Sequence, residues 1–215
     1  MHLTDEPSAQ HVKRYVKLSK FIKKHNGGIP ILDALSCYEF FTKKSVDIPV
    51  VAIDSPDLKL FDNVNPKMLY YCVGMGTNYL TNRYFTMPLG RTAILGMQLY
   101  STGVQGFLHW GFNFYNTQYS LKSINPYEET SAGGQFLAGD SFVVYPKENG
   151  VNYSIRYFAL LRGFEDYRLL KTVEQKHSRE KVLQILNSYG VNGLNEYPRS
   201  VEKYEELRQN LYNLL

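Results

Sequence analysis

Short unbroken apolar runs alternate along the first half of the chain with segments of helical period. Because these runs do not interleave apolar with polar positions, the strands they form must be covered on both faces, as in a parallel sheet flanked by helices. The runs span 29–33, 48–54 and 68–73, and the first two end in an acid, Asp33 and Asp54. Around them the pattern predicts a helix from Ser8 to about residue 25, capped by Ser8 and stopped by Asn26-Gly27-Gly28, and a short helix over 36–42. A further helix opens at Pro88, carries Leu89, Ala93, Met97 and Tyr100 on one face, and closes at Gly103. The expected fold is therefore α/β, built from consecutive βα units. The chain reads as one domain over 1–215, since no linker, low-complexity tract or other repeat interrupts it.

The next run, Gly106-Phe107-Leu108-His109-Trp110, begins as a buried strand and empties into Gly111-Phe112-Asn113-Phe114-Tyr115-Asn116, a loop that keeps its aromatics and gains amides. Flat apolar faces beside fixed amide donors and acceptors suit a sugar ring, whose C–H face stacks on indole or phenol while its hydroxyls need partners. A core tryptophan at a strand end fits the same stretch, and the pattern leaves both readings open. Polar and aromatic residues also follow the 68–73 strand, at Tyr71, the 74–78 loop and Thr81-Asn82-Arg83. In parallel α/β folds ligands bind after strands, so Tyr71, Arg83, Trp110, Asn113 and Tyr115 are candidate substrate contacts; the plain alternative for Arg83 is an ion pair. The Gly74-Met75-Gly76 triplet lacks the third glycine and helix start of a dinucleotide motif. The segment 112–140 has no helical period, and a loop of that length inside a compact domain is usually functional. One more strand is expected over 142–146, then a long helix capped by Ser154 that holds Ile155, Phe158, Leu161, Phe164, Leu169 and Leu170. Helices over about 180–188 and 201–215 complete a C-terminal helical extension from about residue 178.

Composition narrows the function. Hydrophobic residues make up 44%, charged residues 20% and aromatics 14%, with 18 tyrosines and 12 phenylalanines, a globular balance rather than a disordered one. The net charge is +4, and Lys13, Lys17, Lys20, Lys23 and Lys24 share a segment whose apolar Val12, Tyr15, Val16 and Ile22 keep helical spacing. That is the solvated face of a helix, and no recognition motif argues for nucleic acid. Cys37 and Cys72 have no metal-ligand spacing and read as buried thiols in a reduced, cytoplasmic protein, or one of unknown location if a preceding region is missing. No cofactor or metal is expected. No apolar run reaches the roughly 20 residues that span a bilayer, and residues 1–10 are too polar for a signal peptide.

The opening His2-Leu3-Thr4-Asp5-Glu6-Pro7-Ser8 looks like the end of a strand whose beginning is absent. Together with Asp33-Ala34-Leu35-Ser36, Tyr70-Tyr71-Cys72, Asn82-Arg83, the stretch 106–115, Gly139-Asp140, Tyr145-Pro146, Ser154-Ile155-Arg156 and Asp166-Tyr167, it resembles, over residues 2–172, the domain found in bacterial proteins related to glycoside hydrolase family 123. The resemblance implies a (β/α)8 TIM-type barrel, of which this chain is the second half, and an exo-acting N-acetyl-β-galactosaminidase. The family's adjacent Asp-Glu pair falls on Asp5 and Glu6. Glu6 would be the general acid, and Asp5 would hold the 2-acetamido N–H so that the sugar's own carbonyl oxygen attacks the anomeric carbon, an exception to the two-carboxylate spacing rule. From the residues alone, the two acids could equally complement the dipole of the helix that follows. The expected partner is a carbohydrate, with neither nucleic acid nor membrane. Self-association, or pairing with the missing half of the barrel, is also expected from unpaired strand edges. The alternative function is a non-catalytic carbohydrate-binding or structural module, or an inactive barrel fragment.

Overall fold

In a computed structural model the chain is described throughout except at Ser36, Pro66 and 71–79, and at Tyr70 by its backbone alone. Tyr71, Cys72 and the 74–78 loop lie outside the described residues. The described chain is α/β with a parallel sheet, and it divides into two compact units: Met1–Cys72 with Val104–His109, and Val73–Gly103 with Trp110–Leu215.

The first unit holds helix α1 (Val12–His25), strand β1 (Leu32–Ala34), the single-turn helix α2 (Glu39–Thr42), and strands β2 (Ile48–Ala52) and β3 (Met68–Tyr70). Strand β4 (Gly106–Leu108) completes its sheet, in the order β1-β2-β3-β4 with every pair parallel. The apolar runs appear because Ala34, Val50 and Ala52 are buried against Leu32, Met68 and Leu108. A turn of 3-10 helix, Ala9–His11, precedes α1, so the helix starts later than Ser8 predicts. α1 buries Val12, Tyr15 and Ser19, spaced for one face, and leaves its lysines outside. Met1 lies along the outer side of β1: its carbonyl accepts from the Leu32 N–H (2.8 Å), and its ammonium donates to the Pro30 carbonyl (2.7 Å). Cys37 is a half-buried free thiol.

In the second unit the helix that Pro88 opens is two, α3 (Leu89–Ala93) and α4 (Leu95–Ser101), and Gly103, at φ +72°, ends the turn after them. The strand expected over 142–146 is not a further member of the parallel sheet. It is β5 (Val144–Lys147), which pairs antiparallel with β6 (Gly150–Tyr153) in a tight hairpin. α5 (Ile155–Lys176) is capped by the Ser154 hydroxyl, which accepts from the Tyr157 N–H at 3.2 Å. It faces inward with Leu160, Gly163, Leu169, Leu170 and Val173, while Ile155, Phe158, Leu161 and Phe164 are exposed. α6 (Arg179–Ser188) and α7 (Val201–Tyr212) share one core with α4 and α5, formed by residues such as Met97, Tyr100, Leu170, Leu186 and Leu207. The C-terminal extension is thus part of this unit. The stretch 112–140 is a loop with one 3-10 turn, Gln118–Ser120.

Candidate functional site

The acid pair sits in the first unit, on a turn anchored from below by Asp33. This carboxylate is fully buried, yet it is well supplied with donors: Leu3 N–H gives to Oδ1 at 2.8 Å, His2 Nδ1 contacts the same oxygen, and the Tyr15 hydroxyl donates to Oδ2. Burial, then the bond to and charge of Asp33, hold the Tyr15 phenol far above its ordinary pKa, so it remains a donor. The chain pinned at Leu3 then exposes Asp5 and Glu6, buries Pro7 and enters the 3-10 turn. Glu6 has φ +39°, a left-handed conformation that a side chain resists. Beside the pair opens a cavity of about 310 Å3 lined by Asp5, Glu6, His11, Arg14 and Tyr15 among others. His11 is fixed by Ser8, whose N–H and hydroxyl lie 3.2 and 3.0 Å from its Nδ1. Two acids on the rim of a cavity with cationic and phenolic walls can donate a proton and orient an amide.

The aromatic candidates belong to the second unit. Trp110 is half-buried, packed edge-on to Phe136 (5.1 Å between centroids) and tilted against Phe114 (5.9 Å). Asn113 is exposed and its backbone bridges to Phe142; Tyr115 donates its hydroxyl to the Val144 carbonyl at 2.9 Å. Burial, with a smaller contribution from Tyr127, raises the Tyr115 pKa. The 112–115 strip is thus fastened to 141–144 by its main chain, with Phe114 N–H on Ser141 O (3.0 Å) and Val143 N–H on Phe112 O (2.9 Å). Arg83 is fully buried, so its place here is the ion pair that the sequence left open. Its guanidinium reaches Asp140 Oδ1 at 3.3 Å, the Asp140 carbonyl at 2.7 Å and Asn82 Oδ1 at 3.0 Å, and lies 5.9 Å from the Trp110 ring centroid.

Asp140 and Arg156, visible in the sequence only as motif residues, complete this cluster. Arg156 donates to the Arg83 carbonyl (2.9 Å) and the Gly139 carbonyl (2.5 Å) and lies over the Phe85 ring (4.5 Å). Burial pushes the Asp140 carboxyl up to about 6, against the opposing pull of Arg83, Arg156 and the Trp110 indole. That indole acts on the carboxylate at close range although its N–H makes no hydrogen bond of ordinary geometry. Burial also takes the Arg156 guanidinium down to about 10. Among the described residues no group of three or more His, Cys, Asp or Glu could hold a metal, and no helix is long and apolar enough to cross a membrane.

The sequence profile of the glycoside hydrolase 123 catalytic domain matches residues 1–173. The chain belongs to this family. A glycoside hydrolase domain of this kind therefore contains Asp5, Glu6, Arg83, Trp110, Asn113 and Tyr115, whereas α6 and α7 lie beyond the matched stretch. Among solved structures it is similar to a family 123 glycoside hydrolase from Clostridium perfringens, described for its hydrolysis of glycolipid glycans, with a TM-score of 0.66 and 18% identity. The similarity covers all of this chain and 39% of that one, so the family 123 chain described here spans about two fifths of that enzyme's length. No curated protein matches it in sequence.

Proposed function

We propose that this chain is the second half of a (β/α)8 barrel that removes terminal N-acetyl-β-galactosamine from glycans with retention, using the substrate's own acetamido group as nucleophile. The observation that carries the reading is the Asp5–Glu6 turn: two exposed acids, one on a left-handed backbone, at the rim of a cavity and pinned to β1 through buried Asp33. Glu6 protonates the glycosidic oxygen as the bond to the anomeric carbon breaks, and Asp5 accepts the acetamido N–H so that the amide oxygen closes on that carbon. Water then attacks the cyclised sugar, and Glu6 takes its proton back. Trp110, Asn113 and Tyr115, with Tyr71, are assigned to carbohydrate contact, and Arg83 to support of Trp110 from beneath. The barrel is supported by four sequential parallel strands, with Met1 bonded to the outer side of β1 as the end of a preceding strand would be. Closing it requires strands on the outer edges of Met1 and β4, from the same polypeptide or a companion chain.

The test uses a polypeptide carrying the complete barrel and two N-acetyl-β-galactosaminides, one an activated aryl glycoside and one with a poor leaving group. Glu6→Gln should lower kcat/KM on the poor leaving group by about 10²- to 10⁴-fold and on the aryl glycoside far less, because only the first needs the proton. Asp5→Asn should harm both. Equal and mild losses would remove the acid pair from the chemistry and leave a carbohydrate-binding module as the reading.

A further inference from the structure

We infer that Asp140 is a positioning residue for Trp110: as a carboxylate it holds the Arg83 guanidinium against the indole and so sets the tilt of the face assigned above to sugar stacking. The carbohydrate consequence rests on that assignment; the positioning itself rests on geometry alone. Two of the oxygens that hold Arg83 belong to Asp140, its carbonyl and its Oδ1. Arg156 in turn fixes the backbone on both sides, through the carbonyls of Arg83 and Gly139. The residue after Trp110 is pressed onto the same place, since a Cβ on Gly111 would stand 2.8 Å from both the Asp140 carbonyl oxygen and the Ser141 Cα. Trp110 is therefore referenced to Asp140 twice, through its ring and through its backbone.

The charges that face Asp140 are Arg83, from the segment ahead of α3, and Arg156, from α5; Tyr145 of β5 stands beside Arg156. If Asp140 takes up a proton, two buried guanidinium groups face each other with no anion between them, and Arg83 has reason to leave the indole. Neither oxygen of the Asp140 carboxylate, nor the Trp110 N–H, nor the second terminal nitrogen of Arg156 has a hydrogen bond of ordinary geometry. The hydrogen bonds of the cluster go to backbone carbonyls and to Asn82, whereas the Asp140 carboxylate itself is held by charge and packing, so its protonation acts directly on Arg83 and Arg156.

Trp110 is the only tryptophan, so emission excited where tyrosine does not absorb reports this indole alone. In the 215-residue chain the emission should follow one titration near pH 6, where Asp140 titrates. Asp140→Asn should lack it and emit at every pH as the acid form does, and Asp140→Glu should restore part of it. His109, next in sequence, is the competing titratable ring, and His109→Gln should keep the transition. A wild-type emission flat across this range, a transition that survives Asp140→Asn, or one that His109→Gln abolishes would each overturn the positioning role. In the complete barrel, Asp140→Asn should raise KM about three- to tenfold, the worth of one aromatic stacking contact, with kcat on the aryl glycoside nearly unchanged. If emission titrates as expected and KM does not move, Asp140 still positions Trp110, and it is the sugar assignment of Trp110 that fails.

Discussion

α4 and α5 cross at a pair of glycines, and replacing Gly96 by Ala there should invert the usual effect of that substitution. In an open helix Ala is favoured over Gly by up to about 1 kcal/mol. At Gly96 the added Cβ would lie 1.6 Å from the Gly163 carbonyl oxygen and 2.6 Å from its carbon, both backbone atoms that no rotamer change can move aside. Ordinary contact starts at 3.4 Å, so the helices must part by about 1.8 Å. That displacement loosens the core where Met97 and Tyr100 meet Leu170 and Val173. Overpacking a core costs about 1–3 kcal/mol and occasionally more. With backbone as the obstacle we take the upper end, and the helix propensity gained leaves a net loss of about 2 kcal/mol. For a chain of this size Tm should fall by roughly 4–8 °C. Gly90 in α3 is the internal control: a Cβ there meets nothing within 4 Å, so Gly90→Ala should raise Tm by up to about 4 °C. Thermal melts of both variants by circular dichroism decide the matter, and Gly96→Ala melting as high as Gly90→Ala would refute the crossing geometry.

Asp166 is fully buried in α5 and accepts from the Tyr204 hydroxyl and from Arg208 Nε (2.6 Å) in α7, so Asp166→Asn, which leaves Arg208 only its longer pair with Glu205 (3.6 Å), should cost about 3 kcal/mol in denaturant unfolding. Glu205→Ala, which removes the more exposed pairs with Arg162 (2.8 Å) and Arg208 (3.6 Å) and leaves Asp166 in place, should cost under about 1 kcal/mol, and equal losses would contradict the buried clasp. Glu6→Gly should relieve the left-handed backbone and raise Tm by about 2–4 °C while abolishing the proposed acid chemistry; a lower Tm would mean the turn is not strained.

The parallel layer was legible because strands buried on both faces leave unbroken apolar runs, as in β2. β1 starts three residues later than expected because Ile29, apolar but 57% exposed, and Pro30 belong to the approach rather than to the ladder. The return strand β6 was missed because its four residues, Gly150-Val151-Asn152-Tyr153, make no apolar run, although Asn149-Gly150 after β5 is a hairpin signal. On α5 the apolar residues named from the sequence do not share one face: Leu169 and Leu170 are buried while Ile155, Phe158, Leu161 and Phe164 are exposed. The crossing selects the side with Gly163 and Arg156, because close approach favours a small residue over an apolar one. Asp5 and Glu6 were conspicuous only through resemblance. The cluster around Asp140 was not readable as a cluster, because its contacts join residues 57 and 73 positions apart.

The sheet of the first unit is interrupted in sequence: β3 ends at Tyr70, and its partner β4 does not begin until Gly106, with the whole of α3 and α4 made in between. On the ribosome this edge must wait for its last strand. Joining ends that far apart costs about 3 kcal/mol of chain entropy beyond a constant, which six residues' worth of parallel pairing must outweigh. A cut anywhere near residue 72, attractive as a boundary by sequence position, would yield a nascent-like three-stranded piece with an open flank prone to capture by other chains. Excision of the first unit therefore has to carry 104–109 with it, for instance through a rearranged chain order that splices β4 directly after β3.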